Sequence, residues 1–331
     1  MPRAQRSPRY AWIEENRSER QDSFAAAVED GLSQEPPSLP CRFLYDARGS
    51  ELFEAICDLP EYYLTRAEHE ILEHNADAIV ERCPSPADLA ELGSGSSSKT
   101  RLLIEAFLRR QGWLRYVPVD ISHTALDDAA KALLADYGGL EVLAIASEYR
   151  EGLRHVGRET RLPKLIAWLG SNIGNFARDE AVSFVRSIRS AMGEDDRLLL
   201  GIDLRKDARV LESAYDDARG VTCRFNKNLL ARINRELGGS FDLDAWRHRA
   251  RVVDGGGRVE LGLVCLRPSE VFIEALDRRF SFAPGDFIHT EDSFKYSEAE
   301  IEALAAGARL RSIERWRDGD GRFSLTLLAP R

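Results

Sequence analysis

The sequence predicts an α/β protein: a doubly wound parallel sheet interrupted late in the chain by an inserted α+β lobe. Three observations lead there. From residue 87 onward, short apolar runs alternate with amphipathic helical stretches. A glycine-rich turn follows the first of those runs. A stretch of different pattern then separates the alternating series from two closing strands.

The alternating series reads as strand 88–92, helix 100–109, strand 116–119, helix 124–137, strand 141–145, strand 164–169, helix 178–192 and strand 197–203. Strand, helix, strand in succession implies parallel pairing through right-handed crossovers. The closing strands, 309–316 and 323–328, have no helix between them and predict an antiparallel hairpin at the sheet edge. Between 215 and 304 the pattern gives a helix at 226–237 and strands at 251–266 and 271–282, broken by Gly255-Gly256-Gly257 and by Pro268. Ahead of the sheet, helices are expected at 21–32, closed by Pro36-Pro37, and at 50–57, where Leu52, Phe53 and Ile56 fall at helical spacing. The domain expectation is a mobile arm at 1–20, a lobe of 21–64 with 216–300, and a core of 65–215 with 301–331.

Composition excludes several classes. With 44% hydrophobic and 31% charged residues, the 331-residue chain has material for a buried core and a solvated surface. A net charge of -9 offers a phosphate backbone no general attraction, so no nucleic-acid partner is expected. Five cysteines are scattered without a C-x-x-C pair and read as reduced thiols. Six histidines form no H-E-x-x-H or similar cluster, so no metal is expected. No apolar run reaches the ~18 residues of a membrane span or forms a signal-peptide core, which leaves a cytoplasmic monomer as the expectation.

The chemistry begins at Glu91-Leu92-Gly93-Ser94-Gly95-Ser96, where glycines between a strand and a helix let a nucleotide-like cofactor approach the backbone. A dinucleotide fingerprint would need glycine at position 98, which is Ser98, whereas G-x-G-x-small with an acid in front suits S-adenosylmethionine. Asp120 ends the second strand, where a carboxylate would hold ribose hydroxyls or cap the next helix. Glu148 and Tyr149 end the third, where an acid and an aromatic would meet adenine's amino edge and face; core packing is the alternative for Tyr149. Lys99, expected in the first turn of the following helix, would reach the cofactor's carboxylate or be a solvated helix residue.

Further blocks are Leu44-Tyr45-Asp46-Ala47-Arg48-Gly49-Ser50, Leu59-Pro60-Glu61-Tyr62-Tyr63-Leu64-Thr65-Arg66, Ile173-Gly174-Asn175-Phe176, Ala214-Tyr215-Asp216-Asp217, Phe225-Asn226, Asn234-Arg235-Glu236-Leu237 and Thr290-Glu291-Asp292-Ser293-Phe294-Lys295. In this order, from about Phe43 to the C-terminus, the chain resembles the histidine-specific Nα-methyltransferases of ergothioneine biosynthesis, which form the trimethylated betaine hercynine. The resemblance implies a Rossmann-like class I S-adenosylmethionine-dependent methyltransferase core with an inserted substrate-binding lobe. It implies that Tyr45, Tyr62, Asn175, Tyr215, Glu291 and Ser293 line an amino-acid pocket, and that Gly93, Gly95, Lys99, Asp120, Glu148 and Tyr149 hold the methyl donor. Tyr45 and Tyr62 are the catalytic candidates, a pocket tyrosine or a water taking the amine's proton.

The implied roles suit the residue types. Amide and phenol donors, Asn175 and Tyr215, can bind the amino acid's carboxylate. Glu291 and Ser293 stand two apart, so on an extended segment both side chains share a face and can clamp the two imidazole nitrogens. Two positions depart from the family: Glu148-Tyr149 stands where aspartate-phenylalanine is usual, and Leu261 stands where the histidine enzymes carry methionine, altering the side wall of the ring pocket. A tryptophan-type acceptor is therefore the alternative, although Glu291 favours histidine, because an indole has one N–H donor and no acceptor. A non-catalytic cofactor-binding protein is the rival of another class.

Overall fold

The computed structural model describes residues 9–14 and 17–331. In chain order these form β1 (Tyr10–Glu14), α1 (Arg17–Leu32), α2 (Ala47–Cys57), α3 (Leu64–Glu81), β2 (Asp88–Leu92), α4 (Arg101–Gln111), β3 (Leu114–Asp120), α5 (His123–Asp136), β4 (Leu140–Ala146), α6 (Tyr149–Glu159), β5 (Lys164–Trp168), α7 (Arg178–Ser190) and β6 (Arg197–Asp203). There follow α8 (Ala208–Tyr215), α9 (Val221–Leu237), β7 (Trp246–Val253), β8 (Arg258–Cys265), β9 (Ser269–Ile273), β10 (Arg278–Phe282), β11 (Phe287–Phe294), α10 (Glu298–Gly307), β12 (Leu310–Arg317) and β13 (Phe323–Pro330). Two compact units result, one of β1, Leu64–Leu204 and Tyr296–Arg331, the other of 17–63 and Arg205–Lys295.

The first unit holds an eight-stranded sheet in the order β1-β4-β3-β2-β5-β6-β13-β12. The first six strands of that order run parallel, whereas β13 is antiparallel to β6 and β12 to β13. This is the α/β class with the terminal antiparallel hairpin that the sequence predicts. Every residue of β2 and of β5 is buried, as a parallel sheet covered by helices on both faces requires. Some of the helices start at side-chain caps: Ser122 Oγ accepts from Ala125 N at the start of α5, and Ser297 with Glu300 forms a capping box on α10.

The mobile arm expected at 1–20 is corrected where the structure describes it. Tyr10–Glu14 is a sheet strand, paired parallel with β4 from Tyr10 opposite Val142 to Glu14 opposite Ala146, and 17–20 open α1. The cause is an edge that needs a partner, reinforced by side chains. The Arg9 guanidinium donates to the carbonyls of Tyr137 and Leu134 at 2.9 and 3.2 Å, the Tyr10 hydroxyl donates to Asp127 at 2.9 Å, and the Trp12 ring lies 4.2 Å from that of His123. What the arm reading says of 1–8, 15 and 16 lies outside the described residues.

In the second unit a three-stranded antiparallel sheet in the order β11-β8-β7 and the hairpin β9-β10 gather around α9. Phe225, Leu229, Ile233 and Leu237 recur every fourth residue along α9 and are buried, which sets its core-facing stripe. α2 packs on the same helix, its first turn capped by Asp46, whose carboxylate accepts from Gly49 N at 2.7 Å and from Asn228 Nδ2 at 2.7 Å. Ile233 is fully buried at the centre of that stripe. Ile233→Ala is expected to cost about 2–5 kcal/mol of stability through the cavity it leaves, read as a lowered unfolding temperature in calorimetry.

Candidate active site

The glycine turn of the first unit sits between β2 and α4. Gly93 and Gly95 have φ of +72° and +50°, a left-handed backbone that glycine adopts without penalty. A Cβ on Gly93 would lie 2.6 Å from the Tyr149 hydroxyl and 3.1 Å from Asn172 Nδ2. The turn is held from β3: Gly93 N and Ser94 N donate to the Val119 carbonyl at 2.8 and 3.3 Å, and Gly95 N donates to Asp120 Oδ2 at 2.9 Å.

Asp120 Oδ1 accepts from Ser122 N at 2.8 Å, and it is Ser122 rather than Asp120 that caps α5. Burial raises the Asp120 pKa, while the backbone N–H groups of Ser122, Gly95 and Ile121 hold it back. A carboxylate offers about four lone-pair sites, so one restrained by these N–H groups keeps capacity for a further hydroxyl. Together the bare glycine backbone and this carboxylate fit a ribose-bearing methyl donor.

Glu91, the acid in front of the turn, is a brace. It accepts from Thr100 Oγ1 at 2.6 Å and from the Tyr116 hydroxyl, which lies 2.9 Å from Ser97 Oγ. Burial pushes its pKa to about 7 against the pull of Thr100, Tyr116 and Lys99. Lys99 lies in the turn just before α4, not in the helix's first turn as expected. Its ammonium donates to Glu68, a fully buried carboxylate on α3 that also accepts from Gly170 N at 2.9 Å. Tyr149 packs its ring 6.1 Å from Trp168 and 5.7 Å from Phe184, so it belongs to an aromatic cluster while its hydroxyl covers Gly93. Glu148 is exposed at the N-terminus of α6. Asn175 is half-buried and ends the short 3-10 turn Asn172–Asn175 after β5.

In the second unit the β8–β11 ladder sets Glu291 opposite Leu261 and Ser293 opposite Val259, after an irregularity in register between His289 and Glu291. Directly opposed residues project to one face, so Leu261 flanks the carboxylate. Lys295, two residues beyond Ser293, continues the alternation and is fully buried. The Tyr215 hydroxyl lies 2.8 Å from Ser293 Oγ, and the Lys295 ammonium donates to both, at 2.7 Å to Tyr215 and 2.8 Å to Ser293.

Tyr215 is fixed from behind. His248 Nε2–H donates to its carbonyl at 2.9 Å, and His248 Nδ1 accepts from Asn226 Nδ2 at 2.9 Å. Burial lowers the His248 pKa, consistent with the neutral ring this arrangement needs. The Tyr62 ring lies edge-on to Tyr215 at 6.1 Å, and Tyr45 lies edge-on to Phe53 and Phe225 at 5.5 and 5.4 Å. Burial, followed by the nearby Tyr215, Cys57, Tyr45 and Glu291, holds the Tyr62 phenol well above its ordinary pKa. Tyr63, also buried, instead offers its face to the Lys206 ammonium at 4.6 Å.

Glu291 is half-buried, and burial raises its pKa to about 7, with Lys295 and His289 pulling it down and Asp292 pushing it up. Burial and the same carboxylate push the neighbouring Cys41 thiol up to about 12. Sequence reasoning missed Glu68, Asn226, His248 and Lys295. Of these, Asn226 and Lys295 stood in blocks that carry the resemblance without being given a role, and Lys295 also continues the 291, 293, 295 alternation. Among the described residues no group of three or more His, Cys, Asp or Glu could hold a metal, and no helix is long and apolar enough to cross a membrane.

A sheet of this order, with a glycine turn and a buried carboxylate at the ends of its first two core strands, belongs to a Rossmann-like methyltransferase core. A family model described as histidine-specific methyltransferase, SAM-dependent, matches residues 24–330, and the chain belongs to that family. It is 41% identical over 302 residues to histidine N-alpha-methyltransferase of Mycobacterium tuberculosis, covering 91% of this chain and 93% of that protein. The Mycolicibacterium smegmatis protein of the same name is 40% identical, with 92% and 96% covered. Ergothioneine biosynthesis protein 1 of Neurospora crassa is 32% identical over 89% of this chain but only 33% of its own length.

Gly93→Ala combines a positive φ, about 1–3 kcal/mol for a residue with a Cβ, with the 2.6 Å approach to Tyr149. It is expected to weaken S-adenosylmethionine binding by roughly 5- to 150-fold in calorimetry.

Proposed function

We propose that this protein transfers methyl groups from S-adenosylmethionine to the α-amino nitrogen of free L-histidine, up to the trimethylated betaine hercynine, the first step of ergothioneine biosynthesis. The observation that carries the reading is the polar pair Glu291 and Ser293 on one face of β11, flanked by Leu261 and tied to Tyr215, in a chain of the histidine-specific family. A carboxylate beside a hydroxyl matches an imidazole, which offers one N–H and one lone-pair nitrogen.

The methyl donor supplies the electrophile when bound, so the protein's work is positioning and electrostatics. On this reading Gly93 and Gly95 admit the donor to the backbone, Asp120 takes its ribose hydroxyls, and Glu148 and Tyr149 border its adenine. Lys99, braced by Glu68, serves the donor's carboxylate. On the acceptor side Glu291 takes the imidazole N–H, Ser293 donates to the other nitrogen, and Leu261 forms the side wall. Asn175 supplies a donor for the amino acid's carboxylate, and Tyr215 lines the acceptor site through its contact with Ser293. Tyr45 and Tyr62 act as neutral phenols that orient the amine; with Tyr62's pKa raised, water is the better sink for the amine's proton.

Three measurements bear on this. In a panel of free amino acids incubated with the donor, mass spectrometry should find histidine carrying up to three added methyl groups; tryptophan as the preferred acceptor would overturn the assignment. Glu291→Ala removes a hydrogen bond to a charged group, about 1.5–3 kcal/mol, and should lower kcat/KM for histidine by roughly 10- to 150-fold while changing any activity on tryptophan far less.

The third is pH dependence. Because burial raises the Glu291 pKa to about 7, the acceptor carboxylate forms as pH rises through neutrality. The KM for histidine should therefore fall from about pH 6 to about pH 8, and Glu291→Gln should remove the part of that slope owed to Glu291.

A further inference from the structure

Lys295 has no exposed surface, yet it carries an ammonium in the middle of the acceptor cluster. Nζ, the Tyr215 hydroxyl and Ser293 Oγ form a triangle with edges of 2.7, 2.8 and 2.8 Å. An ammonium has donors and no acceptor, so both hydroxyl oxygens must accept from Lys295. On the remaining edge one hydroxyl donates to the other. The phenol, with an ordinary pKa near 10, is far more acidic than an aliphatic alcohol and is the donor there. Ser293 Oγ thus accepts from Lys295 and from Tyr215, both its lone pairs are filled, and its own proton is left to point out of the triangle.

We propose that Lys295 is a positioning residue that sets the hydrogen-bond direction of Ser293, converting a hydroxyl that could donate or accept into one that only donates to the acceptor molecule. This rests on the histidine reading and deepens it. The side chain recognised at Ser293 must then present a lone pair, as the unprotonated nitrogen of a neutral imidazole does. An imidazolium, whose nitrogens both carry protons, or an indole, which has no acceptor, would meet a proton with a proton. Without the ammonium, Ser293 regains an acceptor site and the selection is lost.

The test is a double-mutant cycle on the full chain. Lys295→Met is expected to raise the KM for histidine by about 10- to 100-fold, leave kcat within about threefold, and leave S-adenosylmethionine affinity in calorimetry unchanged. Lys295→Arg, which keeps a cation and donors, should recover part of the loss. In a Ser293→Ala background, where there is no hydroxyl left to orient, Lys295→Met should add less than about threefold.

An unchanged KM, a loss fully additive with Ser293→Ala, or a parallel fall in donor affinity would overturn the proposal. Should Lys295→Met melt below the assay temperature, Lys295→Gln takes its place in the same cycle and is judged by the same additivity. Failure of the wild-type protein to methylate histidine at all would sink the histidine reading instead, so the two failures are distinct.

Discussion

Charge taken out of water must be met by oriented partners, and both units are organised by that demand. In the first, Glu68 lies at zero exposure and is satisfied by Lys99 and the Gly170 backbone, while Glu91 is satisfied by Thr100 and Tyr116. These contacts tie α3, α4, β3 and the turn after β5 to the glycine turn. In the second, Lys295 draws together the end of α8 and the end of β11. A partly satisfied network costs more than an apolar core, so such clusters admit few geometries and hold the neighbouring backbone in one of them.

The same physics separates groups that meet ligand from groups that hold them. Asp120 and Glu291, the carboxylates proposed to meet ligand, stand at a strand end or edge with acceptor capacity that turn or sheet geometry leaves over. Glu91 and Glu68 are spent on protein partners. Asn226 and His248 stand one step further back, fixing the backbone of Tyr215 and so the direction from which its phenol reaches Ser293.

How much was legible in the sequence follows from how local each determinant is. The alternating strands and helices, Gly93, Gly95 and Asp120 were readable, because a tight turn and a strand-end carboxylate are written in contiguous residues. Glu291 and Ser293 were readable through the family resemblance, since a spacing of two by itself equally suits a polar turn, and Lys295 lay in the same register one step beyond. The Glu68–Lys99 bond joins residues 31 apart and Asn226–His248 residues 22 apart, with no periodic mark on either. Tyr10–Glu14 was hidden because five residues make an edge strand only when β4 supplies the other half of the ladder. Lys99 was displaced for a local reason: α4 starts at Arg101, after a left-handed residue at Ser97.

The sheet order has a consequence for assembly. β1 lies beside β4, so its pairing closes a loop of about 130 residues, and β13 slots between β6 and β12 although it is made after both. Neither β1 nor the closing β12–β13 hairpin joins the rest of the sheet through a neighbour in sequence. During synthesis the β6 flank stays open until β13 emerges, a non-local closure that slows folding and leaves an unpaired ladder for other chains to find.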